Sequence, residues 1–215
     1  MTEIPDFRDL VQDVTPHMGR DETLPMLCGI KVEADDRHLY LVATDRYTLA
    51  VTRRAAPGIG TWTTFLDTDD VKAITALGRI ARLRRIDLEH DGHHLTARVG
   101  THALTLDTKD VEGVPSWRPL VRKALAAKPQ DAPQIVLNAR MLARWGHHLR
   151  WGEEPLLMWA TGPRTPLVIV RGEDFVGLHM PVRVSLPDED ERPRRDAART
   201  AWTQALTAER PALAA

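Results

Sequence analysis

The sequence predicts an α+β fold, and three observations carry that expectation. A helix followed by three short strands occurs three times along the chain. The strands alternate apolar and polar residues and meet at tight turns, the pattern of antiparallel sheets with one buried face. The helices place apolar residues three and four apart, so each has one face to bury. A unit of this kind cannot cover its own sheet and must pack against another.

In the first unit, Phe7 to Met18 reads as a helix, with Asp6 as N-cap and Gly19 as its stop. Phe7, Leu10, Val11 and Val14 make its apolar face. Met26 to Ala34 is a strand with Ile30, Val32 and Ala34 on one side. Asp35-Asp36-Arg37 turns the chain into Leu39–Ala43, and Tyr47 to Arg53 is the third strand. Pro57 to Gly60 is a loop by composition. In the second unit, Asp67 to Arg82 is a helix carrying Val71, Ile74 and Leu77, capped by Asp67 or Thr68. Arg85–Glu89, Leu95–Val99 and Ala103–Thr108 are its strands, with His90-Asp91-Gly92 as a turn. In the third, Ile135-Val136-Leu137 is a strand and Asn138 caps a helix to about Leu149. Leu156–Ala160, Leu167–Val170 and Phe175–Arg183 follow as strands. Asp188 to Glu191 is an acidic linker. Asp196 to Glu209 is a helix with Ala198, Trp202 and Leu206 on one side.

The bulk properties narrow the function. The chain has 215 residues and a net charge of −1. Any contact with nucleic acid must therefore come from segregated charge. A lone cysteine, Cys28, allows no internal disulfide and fits a reducing cytoplasm. No apolar run is long enough to span a membrane. The opening MTEIPDFRDL has no basic segment before an apolar core, so no signal peptide is expected.

Two segments carry a family resemblance. Gly19 to Arg53 reads GRDETLPMLCGIKVEADDRHLYLVATDRYTLAVTR, with Ala-Thr-Asp-Arg-Tyr before Leu-Ala-Val. Far downstream, His179-Met180-Pro181-Val182-Arg183-Val184 forms the second segment. Together they resemble the bacterial DNA polymerase III beta subunit, the sliding clamp. A third segment, Glu112 to Val121, resembles that family's domain-closing signature, with Trp117 in place of the usual Tyr or Phe. The resemblance implies a DNA-clamp-like fold of about one and a half clamp domains. Residues 1–121 resemble the complete middle domain, and residues 122–184 the second half of the C-terminal domain. Residues 185–215 lie beyond the family's usual end.

The resemblance also implies a groove for short peptides of a DNA polymerase or clamp loader. Leu27, Thr44, Arg46, Tyr47 and Leu49 would form one wall, and Leu178, Met180, Pro181, Val182, Arg183 and Val184 the facing one. These residue types suit the task. Leu, Met, Pro and Val make an apolar slot, while Arg46 and Arg183 can meet carbonyls or acidic groups. Two positions depart from the family: Thr48 stands where Arg is usual, and Arg122 where Pro often follows.

In the family each helix faces a DNA-filled hole. The resemblance therefore sets Lys72, Arg79, Arg82, Arg140 and Arg144 toward duplex DNA, where they would meet phosphates without reading sequence. An ordinary solvated helix face is the other reading of the same charges. His90, His93 and His94, near Asp87 and Glu89, follow a hairpin turn rather than a metal-ligand spacing. No phosphate loop, nucleophile elbow or catalytic carboxylate pair occurs, and no cofactor is implied. The expected protein is a non-enzymatic, clamp-like processivity factor, closing round DNA as a homo-oligomer. The alternative is a peptide-binding module that forms no ring and competes with or regulates the host clamp. A third reading places the tail helix, with Gln204-Ala205-Leu206, in the groove.

Overall fold

The structure is a computed structural model that describes residues 2–80, 85–129, 135–146, 155–162, 164–182, 196, 197 and 199–201. The first unit comprises β1 (Thr2–Pro5), α1 (Phe7–Val14), β2 (Gly29–Asp35), β3 (His38–Thr44) and β4 (Thr48–Ala55). The second comprises β5 (Thr61–Asp67), α2 (Thr68–Ile80), β6 (Arg85–His90), β7 (His94–Val99) and β8 (His102–Asp107). Then come α3 (Trp117–Ala126), α4 (Ala139–Leu142), β9 (Leu157–Trp159), β10 (Leu167–Arg171) and β11 (Phe175–His179).

Two antiparallel sheets result, ordered β1-β6-β7-β8 and β5-β2-β3-β4-β11-β10-β9. The strands that precede α1 and α2 each cross to the other unit's sheet. β1 pairs with β6, Ile4 opposite Ile86, and β5 pairs with β2, Leu66 opposite Ile30. This exchange locks the first two units together. α1 packs on β3 and β4, α2 on β2, β5, β7 and β8, and the two helices touch. A core including Phe7, Ile30, Leu41, Ile74, Ile86 and Leu95, all at most 2% exposed, runs through both units.

The larger sheet crosses from the first unit to the third. β4 lies against β11, with Leu49 opposite Leu178 and Val51 opposite Val176. A buried ion pair strengthens that junction: Arg171 Nη2 on β10 meets Asp13 Oδ2 on α1 at 2.7 Å. Trp145, just after α4, is 2% exposed. It sits over Gly177 of β11, where an added Cβ would come within 2.3 Å of the indole.

Several elements differ from the sequence expectation, each for a physical reason. α1 stops at Val14 and passes into a 3-10 turn over Thr15–His17, because Pro16 has no N–H to continue the helix. Asp6 holds the N-cap position in the left-handed region, at φ 55°, without a side-chain cap bond. Gly19 is small for packing rather than for helix termination: a Cβ there would lie 2.9 Å from Leu27 Cβ. On α2, Asp67 is the cap, accepting from the amides of Asp69 and Asp70 at 2.9 and 3.0 Å. Asp70 returns the contact to the Asp67 amide at 3.2 Å.

Strands β1 and β5 were not expected. Helix α3 was not expected either, and it runs through the division drawn at residue 121. Pro119 is tolerated in its first turn, where amides have no helical partner. Trp117, Val121 and Ala124 bury one face of it against Val42, Leu49, Val51, Val168 and Leu178. Residues 135–137 join no ladder, although Val182 donates its amide to the Val136 carbonyl at 2.8 Å. Asn138 does cap α4, accepting from the Arg140 and Met141 amides. The α-helix passes after Leu142 into 3-10 turns over residues 143–146, and the rest of the expected span to Leu149 lies outside the described residues. Arg82, Arg183, Val184, Trp202 and Leu206 lie outside the described residues.

Candidate peptide-binding groove

The two segments expected to form one groove meet although about 130 residues separate them. They meet as neighbours in a single sheet rather than as opposed walls. Thr44 lies opposite Leu49, Leu49 opposite Leu178, and Leu178 opposite Val168, a row on one face. The ladder continues past β11, where Met180 donates its amide to the Tyr47 carbonyl at 2.8 Å. Leu49 and Leu178 are only 5% and 6% exposed. They lie in the cluster that includes Trp117 and Val121 of α3. Met180 and Pro181 are half-buried, and Val182 is exposed.

At the end of this row a hollow of about 320 Å³ opens. Leu24, Leu27, Arg46 and Tyr47 line it from the first unit, and Met141 and Arg144 from the third. Leu27 is buried at its base, and Tyr47 is 53% exposed at its mouth. The hollow thus combines apolar walls, an aromatic ring and two guanidinium groups, with Asp21 and Asp45 beside them. Such a mixture can seat a short peptide with one or two apolar side chains.

The turn that presents Arg46 and Tyr47 is built by Asp45. Its Oδ1 accepts from the Tyr47 amide, the Thr48 amide and the Thr48 hydroxyl at 3.0, 2.8 and 3.0 Å. This closed Asx turn holds Arg46 at φ 76°, a left-handed conformation that costs a side-chain-bearing residue roughly 1–2 kcal/mol. The other Asp45 oxygen, Oδ2, takes Arg144 Nη1 at 2.5 Å, and the same nitrogen reaches the Thr48 hydroxyl at 3.0 Å. A guanidinium therefore stands at this turn although residue 48 is threonine, and it comes from the third unit.

Sequence reasoning did not assign Leu24, Met141 or Arg144 to the groove. A signal for two of them was present. The Asn138 cap fixes the helix start, and Met141 and Arg144 are three residues apart, so they share a side. Of the residues expected to face DNA, Lys72 and Arg79 are exposed and seven apart on α2, hence on one face. Lys72 pairs with Asp69 at 2.9 Å, and that carboxylate raises its pKa. Arg140 is exposed on α4, whereas Arg144 is turned to Asp45.

Two histidines report on burial. His179 accepts a hydrogen bond at Nδ1 from Trp145 Nε1 at 3.0 Å, which requires a neutral ring. Burial pushes its pKa below the ordinary 6.5, the Arg144 charge pushes the same way, and Asp45 opposes. His90 stacks on Trp62 at 4.6 Å, and burial lowers its pKa as well. As pH falls below about 6.5, the unfolded chain takes up protons that these folded-state rings resist. Stability is therefore expected to fall from pH 7 toward pH 5. Thermal melts across that range check it, and His179→Gln should flatten the dependence. A wild-type melting temperature that rises on acidification would contradict the assignment. At the same hairpin, the Asp91 carboxylate accepts from the His93 and His94 amides at 2.8 and 2.7 Å. Among the described residues, no group of three metal-ligating side chains occurs.

Exchanged strands, with two helices packed against each other and against two antiparallel sheets, define the fold. Solved sliding clamps share it. The C. crescentus beta sliding clamp superposes with a TM-score of 0.68 at 17% identity, over 85% of this chain and 65% of that one. The Thermotoga maritima DNA polymerase III beta subunit gives 0.67 at 14% identity, over 87% and 65%. The Streptomyces coelicolor beta sliding clamp is 44% identical over 45 residues, which is 21% of this chain and 12% of that protein. Residues 3–111 match the profile of the DNA polymerase III beta subunit, central domain. The chain belongs to the DNA polymerase III beta subunit family, and it spans under two thirds of the length of these relatives.

Proposed function

We propose that this protein is a non-enzymatic, clamp-like processivity factor of DNA replication in the cytoplasm. It binds short peptides of a DNA polymerase or clamp loader in the hollow between its first and third units. The observation that carries this reading is the hollow itself. Leu27, Arg46 and Tyr47 of one segment and Met141 and Arg144 of another converge on it, with the Met180 segment bonded alongside. Arg183 and Val184, which lie outside the described residues, are included in the binding segment on sequence alone. Lys72, Arg79, Arg82 and Arg140 contact duplex DNA through phosphates when chains assemble into a ring. A non-ring module that competes with the host clamp is the second reading. It is favoured by the net charge of −1 and by Arg144 being paired with Asp45.

Fluorescence polarisation with a labelled clamp-binding peptide tests the groove. Saturable binding is expected, and Tyr47→Ala should weaken it about tenfold, the loss of one aromatic anchor. Tyr47 is half exposed, so the variant keeps its fold. No binding at 100-fold excess of protein, or an unchanged affinity in the variant, would remove the reading. Retention on nicked circular DNA and release on linearisation separates the ring from the free module.

A further inference from the structure

His179 is fully buried, yet it stands behind both walls of the hollow. Its Nδ1 accepts the Trp145 indole N–H at 3.0 Å, and Trp145 follows Arg144, which lines the hollow from the third unit. On its other side His179 lies opposite Thr48 in the ladder between β11 and β4, so the two side chains share a face. The Thr48 hydroxyl donates to Asp45 Oδ1 and accepts from Arg144 Nη1, each at 3.0 Å. Asp45 builds the turn that carries Arg46 and Tyr47. Met180, the residue after His179, donates its amide to the Tyr47 carbonyl. One ring thus backs the place where the first and third units meet.

The bond from Trp145 fixes the state of that ring. An imidazole that accepts at Nδ1 is neutral and carries its hydrogen on Nε2. Among the described residues no acceptor meets that buried Nε2. A proton added to the ring goes to Nδ1, so two N–H groups 3.0 Å apart would then face each other. The charges that act on the ring are Arg144, which opposes protonation, and Asp45, which favours it. The other packed elements bring His17, whose ring lies 4.3 Å from the same indole, and Leu167 of β10, opposite His179. The Arg171–Asp13 ion pair lies further along that face. A protonated ring therefore breaks the Trp145 bond and sets a positive charge against Arg144. Arg144 can respond only by shifting, and what it holds is Asp45 and Thr48.

We propose that His179 is a positioning residue for the hollow: its neutral ring holds Trp145, and through it Arg144, where Arg144 closes on Asp45. Its consequence for ligand affinity rests on the peptide-binding reading. The hollow takes its ligand when the ring is neutral and loses hold of it when the ring is protonated. Burial and Arg144 keep the ring's pKa below the ordinary 6.5, so the loss falls on the acid side of that value. A side chain that accepts at the same point without titrating would position Arg144 at every pH. Asparagine is that side chain, since its Oδ1 can stand where Nδ1 of histidine stands.

Nitrogen-15 NMR of the full chain from pH 8 to 5 tests this, with circular dichroism to mark the range in which the fold persists. The Trp145 indole N–H and the amides of Arg46, Tyr47 and Thr48 are expected to shift together, with one midpoint below 6.5. In the same buffers a labelled clamp-binding peptide, N-acetylated and free of histidine, should bind about threefold more weakly at pH 5 than at pH 7.5. His179→Asn should keep the wild-type affinity at pH 7.5 and remove both pH effects. His179→Leu offers no acceptor and should bind weakly at every pH. A turn that does not titrate with the indole overturns the proposal. So do shifts or an affinity loss that persist in His179→Asn, since another group then carries them. A level affinity while the indole titrates overturns it as well. Absence of peptide binding by the wild type at pH 7.5 counts against the peptide-binding reading alone, and the NMR titration then decides the positioning role.

Discussion

Replacing Arg171 with methionine is expected to destabilise the protein by about 3–5 kcal/mol, the cost of removing one member of a buried ion pair. Arg171 and Asp13 have side chains 9% and 6% exposed, and their contact is 2.7 Å. The Arg171 guanidinium also lies 5.4 Å from the Phe175 ring centroid. Methionine keeps the unbranched stem as far as the position of Arg171 Nε, so the loss reports chiefly the guanidinium group. Urea unfolding followed by circular dichroism gives the midpoint and slope. The double replacement Arg171→Met with Asp13→Leu should recover much of the loss, since both charges of the pair are then removed from the core. A single variant within 1 kcal/mol of the wild type would show that the pair does not hold β10 to α1.

Trp145→Ala is expected to cost about 3–5 kcal/mol, as for other large aromatic truncations in a core. The indole fills the space over Gly177. It lies 4.3 Å from the His17 ring and 6.2 Å from the Phe175 ring, centre to centre. Trp145→Phe keeps most of the volume and removes the bond to His179, so a loss near 1 kcal/mol is expected there. Gly177→Ala approaches the same site from the other side and should destabilise by steric overlap without deleting any contact. Because Arg144 precedes Trp145 and walls the hollow, Trp145→Ala should also weaken peptide affinity. Equal stability of Trp145→Ala and wild type in chemical denaturation would refute the packing argument.

The sequence made the repeating unit legible because its strands alternate and its helices are amphipathic, both local properties. Leu49 and Leu178 could be matched through family likeness, and the register places them side by side. What was not legible depended on partners far along the chain. β1 has four residues and contains Pro5, so it is a strand only because β6 lies beside it. β5 has strong strand formers in Trp62, Thr63, Thr64 and Phe65, but it sat between a loop and a helix whose signals were louder. Helix α3 was hidden because Pro119 reads as a breaker, whereas in a first turn it is harmless. Tyr47 and Arg46, which line the hollow, stood within the motif. The Arg144–Asp45 contact was not legible, since it joins residues 99 positions apart.

The pairing of β4 with β11 has a consequence for the order of events during synthesis. Residues 48–52 of β4 receive their neighbour only when residues 175–179 have been made. At typical elongation rates of 5–20 residues per second, β4 waits roughly 6–25 s with an unpaired edge. The face it shares with β3, carrying Val42, Leu49 and Val51, waits as well until α3 is available to lie on it. Helix α3 comes off the ribosome well before β11, so it can shield that face first. The helix that sequence reasoning overlooked would then act as a temporary cover for a nascent sheet, keeping newly made chains from sticking to one another.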